Sequence, residues 1–77
     1  MTLDKFLEDF RDQFEDTPAE QITASTDFKN LDEWCSMVSL CVVAFIDSDY
    51  GVNISAVDIK TSDTVEDLFK IVQSKAK

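Results

Sequence analysis

One stretch near the middle of the chain brings together side chains that could do chemistry. The carboxylates of Asp32 and Glu33 precede Trp34 and the thiol of Cys35, and the hydroxyl of Ser36 follows. Serine is a preferred N-cap residue, so this hydroxyl could satisfy an amide in the first turn of a helix. Alternatively, Ser36 is a modification site, because the positive end of a helix favours an attached phosphate. The residue types alone favour the cap and leave both interpretations open.

The helix that must position Ser36 is predicted from the longest apolar run in the chain. It is expected to extend from Ser36 to Tyr50 and to stop at Gly51, the only glycine present. A glycine at this place suits a left-handed C-cap. Ser36 would then lie at the amino end of the longest helix.

This second helix is predicted to have apolar side chains on two sides. The side expected to face the core contains Val38, Val42, Val43, Phe45, Ile46 and Tyr50. The side that Ser36 borders contains Met37, Leu40, Cys41, Ala44, Asp47 and Ser48. Either neighbouring helices cover this second side, as happens to a central helix that is hydrophobic all round, or it is an exposed strip that binds a partner.

The segments before the second helix are predicted to be one helix and a long loop. Residues 2–15 have apolar side chains at three- and four-residue steps, which indicates an amphipathic first helix. Residues 16–30 contain turn-forming residues, with a short helical turn at residues 19–22. The apolar residues expected to pin this loop to the core are Ile22, Phe28 and Leu31.

Two helical segments are predicted after Gly51. Residues 56–59 would form a short third helix capped by Ser55, and Asp63 or Thr64 would cap the last helix, since each has an acid three residues on. The predicted buried stripe of the last helix is Val65, Leu68, Phe69 and Val72. Four helical segments with apolar faces predict an all-α single domain over residues 1–77, a small four-helix bundle with a long first loop.

The composition limits the possible functions. Sixteen acidic against seven basic residues give a net charge of −9. Such a charge repels nucleic acid and anionic membranes and attracts basic protein surfaces. The chain has no histidine, which removes the commonest general base and the commonest metal ligand. We therefore expect neither an independent enzyme nor membrane insertion.

The sequence predicts that both cysteines are unpaired and that the chain has no metal site. Cys35 and Cys41 lie six residues apart on one helix, which puts their Cα atoms beyond disulfide reach. Two unpaired thiols fit a reducing compartment, and no secretory signal is visible, so a cytoplasmic protein is predicted. Two cysteines without histidine do not make a structural zinc site. A calcium loop from Asp47 onward fails because Gly51 occupies a ligand position and no glutamate ends the loop.

The central stretch resembles the acyl carrier proteins. The sequence LDEWCSM at residues 31–37 is followed by Ser-Leu at residues 39–40 and by IDSDYGV at residues 46–52. In this family a leucine-rich approach precedes Asp-Ser-Leu, and the helix that follows ends in acids, an aromatic residue and Gly or Asp. One group of carriers has the approach LDEWDSL, which this chain matches except at two positions. The similarity extends from Phe6 to Val72.

The resemblance implies a four-helix fold of acyl-carrier type and a discrete acyl carrier protein for fatty-acid, polyketide or related biosynthesis. It implies that Ser36 carries a 4′-phosphopantetheine arm, added by a phosphopantetheinyl transferase that uses Mg²⁺, and it favours this site over the cap. Other implied partners are acyl-transfer and synthase enzymes with basic patches, and a monomer is expected. The second helix is the family's main recognition element. The partner-binding residues expected on it are Met37, Leu40, Cys41, Ala44 and Asp47.

Two departures from the family pattern lead to predictions. Met37 in place of leucine nearly conserves volume and should have little effect. Cys35 in place of aspartate removes a charge beside Ser36, which predicts less efficient modification, a dedicated transferase or a lost arm. Cys41 stands where many relatives have glutamate, so recognition should rely more on apolar contact. Two alternatives remain open, a peptidyl or aminoacyl carrier and an unmodified carrier-like interaction domain.

Overall fold

The computed structural model describes residues 2–76, which form an all-helical structure with no β-strand in that range. The four α-helices and two 3₁₀ turns are α1 Leu3–Arg11, the turns Ala19–Gln21 and Phe28–Asn30, α2 Ser36–Tyr50, α3 Ala56–Thr61 and α4 Val65–Lys75. The prediction of a small helical bundle with a long first loop and a short third helix is confirmed. No helix within the described range is long and apolar enough to cross a membrane.

Local capping explains where three of the helices begin. The Thr2 hydroxyl accepts the Lys5 amide at the start of α1. Ser55 forms a capping box with Asp58 at α3, and Thr64 forms one with Asp67 at α4, as the three-residue spacing predicts. Each box satisfies two backbone amides that would otherwise lack a partner. Of the two predicted caps for the last helix, Thr64 is therefore the one used.

The carboxyl end of α2 is fixed by its glycine. Gly51 has φ 65°, in the left-handed region that an L side chain adopts only with strain. Its amide donates to the carbonyl of Asp47 at 3.0 Å, and the amide of Val52 donates to the carbonyl of Ile46 at 3.5 Å. The bond from Gly51 to Asp47 is the C′-to-C3 bond of an αL C-cap, which ends the helix. The predicted bounds of α2 are confirmed.

The core joins α1, α2 and α4 through aromatic rings. The Phe6 ring centre lies 5.7 Å from that of Phe45 on α2 and 5.3 Å from that of Phe69 on α4. The predicted apolar stripe of α4 is fully or almost fully buried. The other buried apolar residues are Phe6, Leu7, Phe10, Phe14, Ile22, Phe28, Val38, Val42, Phe45, Ile46, Val52, Ile54 and Ile59.

The first helix is shorter than predicted. It ends at Arg11 rather than at residue 15, because the chain tightens into three-residue turns beyond that point. The amide of Gln13 donates to Phe10 at 3.1 Å, and that of Phe14 donates to Arg11 at 3.0 Å. These turns still bury Phe14, so the apolar spacing persists where the α-helix does not.

Polar contacts hold the long loop to α1, α3 and α4. Arg11 Nε donates to the carbonyl of Ile22 at 2.8 Å. The carbonyls of Ala24 and Thr26 accept the first amides of α4, at 2.9 and 3.2 Å. Lys29 Nζ donates at 2.8 Å to the carbonyl of Lys60 in the last turn of α3. The apolar anchors behave as predicted, with Ile22 and Phe28 buried and Leu31 half-buried.

Candidate functional site

Ser36 is the first helical residue of α2 and is exposed to solvent. The N-cap is the preceding residue, Cys35, whose backbone is extended at φ −155° and ψ 178°. Its carbonyl accepts the amide of Ser39 at 2.9 Å. The interpretation of Ser36 as the cap is therefore wrong by one position. Its hydroxyl forms no hydrogen bond within residues 2–76 and is available for modification.

The amino end of α2 lacks a side-chain cap. The thiol of Cys35 makes no cap hydrogen bond, whereas hydroxyls cap the other three α-helices of the described range. The first-turn amides of a helix carry partial positive charge and favour an anionic partner. An attached phosphate on Ser36 would lie beside these amides.

The segment leading to Ser36 is fastened to the loop after α1 by Glu33. Its carboxylate accepts the amides of Glu15 at 2.7 Å, Asp16 at 3.1 Å and Thr17 at 2.8 Å. It also accepts the Thr17 hydroxyl at 2.7 Å. These hydrogen bonds hold the pKa of Glu33 below its ordinary value of 4.5, and the bond from the Thr17 hydroxyl has the largest effect. The ionised carboxylate is thus the form that these donors bind.

Trp34 anchors the same segment through apolar contact. Its ring stacks with Phe14 at 6.2 Å between centres and 26° between planes. It meets Phe28 edge to face at 5.1 Å and 71°. Such aromatic pairs contribute about 0.5–1.5 kcal/mol beyond the area they bury. Glu33 and Trp34 together attach the approach to Ser36 to two parts of the fold.

The second apolar side of α2 is exposed. The predicted core side is buried at Val38, Val42, Phe45 and Ile46 and half-buried at Val43 and Tyr50. On the opposite side, Met37 is 73% and Leu40 is 69% exposed. We call the exposed residues Met37, Leu40, Cys41, Ala44 and Asp47 the α2 strip. The alternative in which neighbouring helices cover this side is wrong.

A groove of about 230 Å³ lies between the α2 strip and the loop after α1. It is lined by Gln13, Glu15, Glu33, Cys35, Met37, Val38 and Cys41. Both cysteines are free thiols, as their spacing predicts, and both are exposed. A second hollow of about 350 Å³ is lined in part by Thr17, Pro18, Leu31 and Glu33. Glu33 therefore lines both hollows.

The structure brings Ser36 and the α2 strip together on one surface. No group of three or more His, Cys, Asp or Glu side chains within residues 2–76 is arranged to hold a metal ion. The bonds of Glu33 are the feature that sequence reasoning missed. Their donors are mainly backbone amides 16 to 18 residues away, and such donors leave no residue-type signal.

Comparisons with known proteins identify no relative. No protein-family model matches the chain, and no significant match exists among the curated proteins or the solved structures. Any functional assignment therefore depends on the residues around Ser36 and on their geometry.

Proposed function

We propose that this chain is a discrete acyl carrier protein that takes a 4′-phosphopantetheine arm on Ser36. The observation that carries the proposal is an exposed serine at the amino end of α2, in the segment LDEWCSM, whose hydroxyl forms no hydrogen bond within residues 2–76. When bound, the arm would supply a terminal thiol that holds acyl groups as thioesters for fatty-acid, polyketide or related biosynthesis. The chain itself supplies no catalytic group.

The surroundings of Ser36 fit such a group. Ser36 is exposed to solvent, and the first turn of α2, which lacks a side-chain cap, favours a phosphodiester. The Ser36 oxygen would attack the pyrophosphate of coenzyme A, at the phosphorus that carries pantetheine. A phosphorus–oxygen bond to Ser36 forms, the adenosine bisphosphate leaves, and the hydroxyl proton passes to a base of the transferase, which holds Mg²⁺.

The α2 strip fits the docking of partner enzymes. It presents exposed apolar side chains, chiefly Met37 and Leu40, beside the attachment point. Asp47 lies on the same face, and the chain carries a net charge of −9. Partners with an apolar contact and a rim of Lys and Arg would complement this surface. The phosphopantetheinyl transferase and the acyl-transfer and synthase enzymes are the partners proposed.

A second candidate is an unmodified interaction domain of the same fold. Cys35 favours it, because this thiol replaces the charge and the cap that an aspartate would supply beside Ser36. In that case the α2 strip would bind a partner without any arm. A peptidyl or aminoacyl carrier would share the site and differ only in cargo.

Intact-mass measurement distinguishes these functions. Purified wild-type chain is incubated with coenzyme A, Mg²⁺ and a broad-specificity phosphopantetheinyl transferase, alongside Ser36→Ala. Ser48→Ala is the matched control, since Ser48 is an exposed serine on the same helix. We expect wild type and Ser48→Ala to gain the mass of one phosphopantetheine, and Ser36→Ala to gain none. A wild-type chain of unchanged mass would favour the interaction domain over the carrier function.

A further inference from the structure

We propose that Glu33 is a positioning residue for the modification of Ser36, because it fixes the segment from which the serine is presented to the transferase. This assignment depends on the proposed function and adds a role for a residue that does not touch the reacting atoms. Glu33 acts through the backbone of residues 33–36.

The Glu33 carboxylate accepts hydrogen bonds from three consecutive residues. Glu33 Oε2 accepts the Glu15 amide at 2.7 Å, and Oε1 accepts the Thr17 amide at 2.8 Å and hydroxyl at 2.7 Å. The Asp16 amide approaches both oxygens, at 3.1 and 3.2 Å. Three consecutive amides thus converge on one carboxylate, a concave anion-binding arrangement of the backbone. Hydrogen bonds to an ionised acceptor are about twice as strong as neutral ones.

Glu33 lies only three residues before Ser36 along the chain. Trp34 is held between Phe14 and Phe28, and Cys35 is extended, so little slack remains. On the other side of Ser36, the buried side chain of Val38 fixes the first turn of α2 to the core. The Ser36 backbone is therefore restrained from both directions.

Docking of the transferase and presentation of the Ser36 hydroxyl are separate contributions to loading. The α2 strip depends on α2, which the burial of Val42, Phe45 and Ile46 holds in place without Glu33. Removing the Glu33 carboxylate should leave transferase docking intact and loosen only the presentation of the hydroxyl. Misplacement by about 1 Å can lower the rate of a positioned reaction by up to about 100-fold. We expect kcat for loading to fall about tenfold, with KM for the carrier changed less than about twofold.

The experiment compares three variants with wild type. Glu33→Ala removes all the bonds. Glu33→Gln keeps one acceptor oxygen and should restore part of kcat. Asp32→Asn is the matched control, because it removes one negative charge at the residue before Glu33 but breaks no hydrogen bond within residues 2–76. Loading kinetics are measured by intact mass. Hydrogen exchange of the Glu15, Asp16 and Thr17 amides is measured on the unmodified proteins.

The expected result is faster exchange of the three amides in Glu33→Ala, together with a lower kcat that Glu33→Gln partly restores and Asp32→Asn does not reproduce. If wild type is loaded and Glu33→Ala has the same kcat, the role of Glu33 is overturned and the carrier function stands. A wild-type chain that gains no mass would overturn both. If Glu33→Ala does not fold, kcat of Glu33→Gln decides, and a value equal to wild type would contradict the assignment.

Discussion

Leu40 and Val42 lie two residues apart on α2, yet Leu40 is 69% exposed and Val42 is fully buried. Residues two apart on an α-helix point about 200° from each other, so one apolar side chain enters the core while the other faces water. The helix therefore presents more apolar surface than its own packing requires. That surplus lies beside Ser36, the proposed attachment point.

Substitution of these two residues should affect stability very differently. Val42→Ala removes two buried methyl groups and should lower the free energy of unfolding by about 2 kcal/mol. Leu40→Ala removes exposed atoms and should change it by less than about 0.5 kcal/mol. Urea denaturation of both variants measures the difference. An equally destabilised Leu40→Ala would mean that Leu40 packs against the fold in solution.

Leu40 should matter for docking instead. Leu40→Ser is expected to raise KM for the transferase about fivefold, because a central apolar contact contributes at least about 1 kcal/mol. Val57→Ser is the matched control, since Val57 is 65% exposed but lies on α3, outside the α2 strip. Its KM should stay close to that of wild type. If the net charge of −9 also steers association, KM should rise with salt for all three proteins.

Cys35 should limit both the stability of α2 and the rate of loading. Cys35→Asp would supply an N-cap carboxylate to a helix that lacks a side-chain cap, which should stabilise the chain by about 1 kcal/mol. It would also restore a negative charge for the transferase to grip. Cys35→Asn separates the two effects, because it caps without charge. We expect both variants to unfold at higher urea and only Cys35→Asp to load faster. Equal loading by Cys35→Asp and wild type would show that the charge is unimportant.

The sequence indicates the elements of this fold better than the contacts between them. The bounds of α2 follow from a continuous apolar run that stops at Gly51, and the cap of α4 follows from the spacing of Thr64 and Asp67. Phe14 misled the prediction of α1, because its apolar spacing continues after the α-helix has ended. The N-cap was misplaced by one residue because the preference of serine for caps outweighed that of cysteine, whereas the backbone turns at Cys35.

Part of the candidate site could be predicted from the sequence. Ser36 and the α2 strip share one helix, so their relation follows from helical geometry alone. The hydrogen bonds of Glu33 require residues 15–17 to lie against residue 33, and local sequence carries no information about that contact. Its acceptor is a glutamate that sequence alone does not distinguish from its neighbour Asp32.

Acid should destabilise the chain through Glu33 and Asp58. Donors from Thr17 and the loop amides lower the pKa of Glu33 below 4.5. The Ser55 amide first, and Lys75 at 3.0 Å, lower the pKa of Asp58 below 3.8. Both groups bind protons less tightly when folded, so their contribution to stability is complete above the ordinary values. It is lost as the pH falls through the lowered ones.

Urea midpoints between about pH 7 and about pH 3 measure this effect. Glu33→Gln should be less stable than wild type near neutral pH and should lose less stability on acidification. Asp32→Asn should follow the wild-type curve. If the urea midpoint of Glu33→Gln changes with pH in parallel with that of wild type, the stabilising effect of these hydrogen bonds does not depend on the charge of Glu33.

Tyr50 should have the opposite pH dependence. Its hydroxyl is buried without a hydrogen-bond partner within residues 2–76, and the Asp9 carboxylate lies close enough to affect its titration. Burial first, and the charge of Asp9 next, raise the pKa of Tyr50 above 10.0. The folded chain thus favours the neutral phenol, so this contribution is complete below pH 10.0 and is lost as the pH rises through the raised value. Tyr50→Phe should therefore lose less stability in alkali.

The same substitution should raise stability near neutral pH. Tyr50→Phe keeps the ring contacts with Phe6 and Phe45, at 5.9 and 6.4 Å, and removes a buried hydroxyl that has no partner. The expected gain is about 1 kcal/mol in the free energy of unfolding. Urea midpoints at about pH 7 and about pH 10.5 test both effects, and Lys5, which also titrates in alkali, is common to the two proteins. A loss of stability in Tyr50→Phe at neutral pH would mean that the hydroxyl donates to Asp9 in solution.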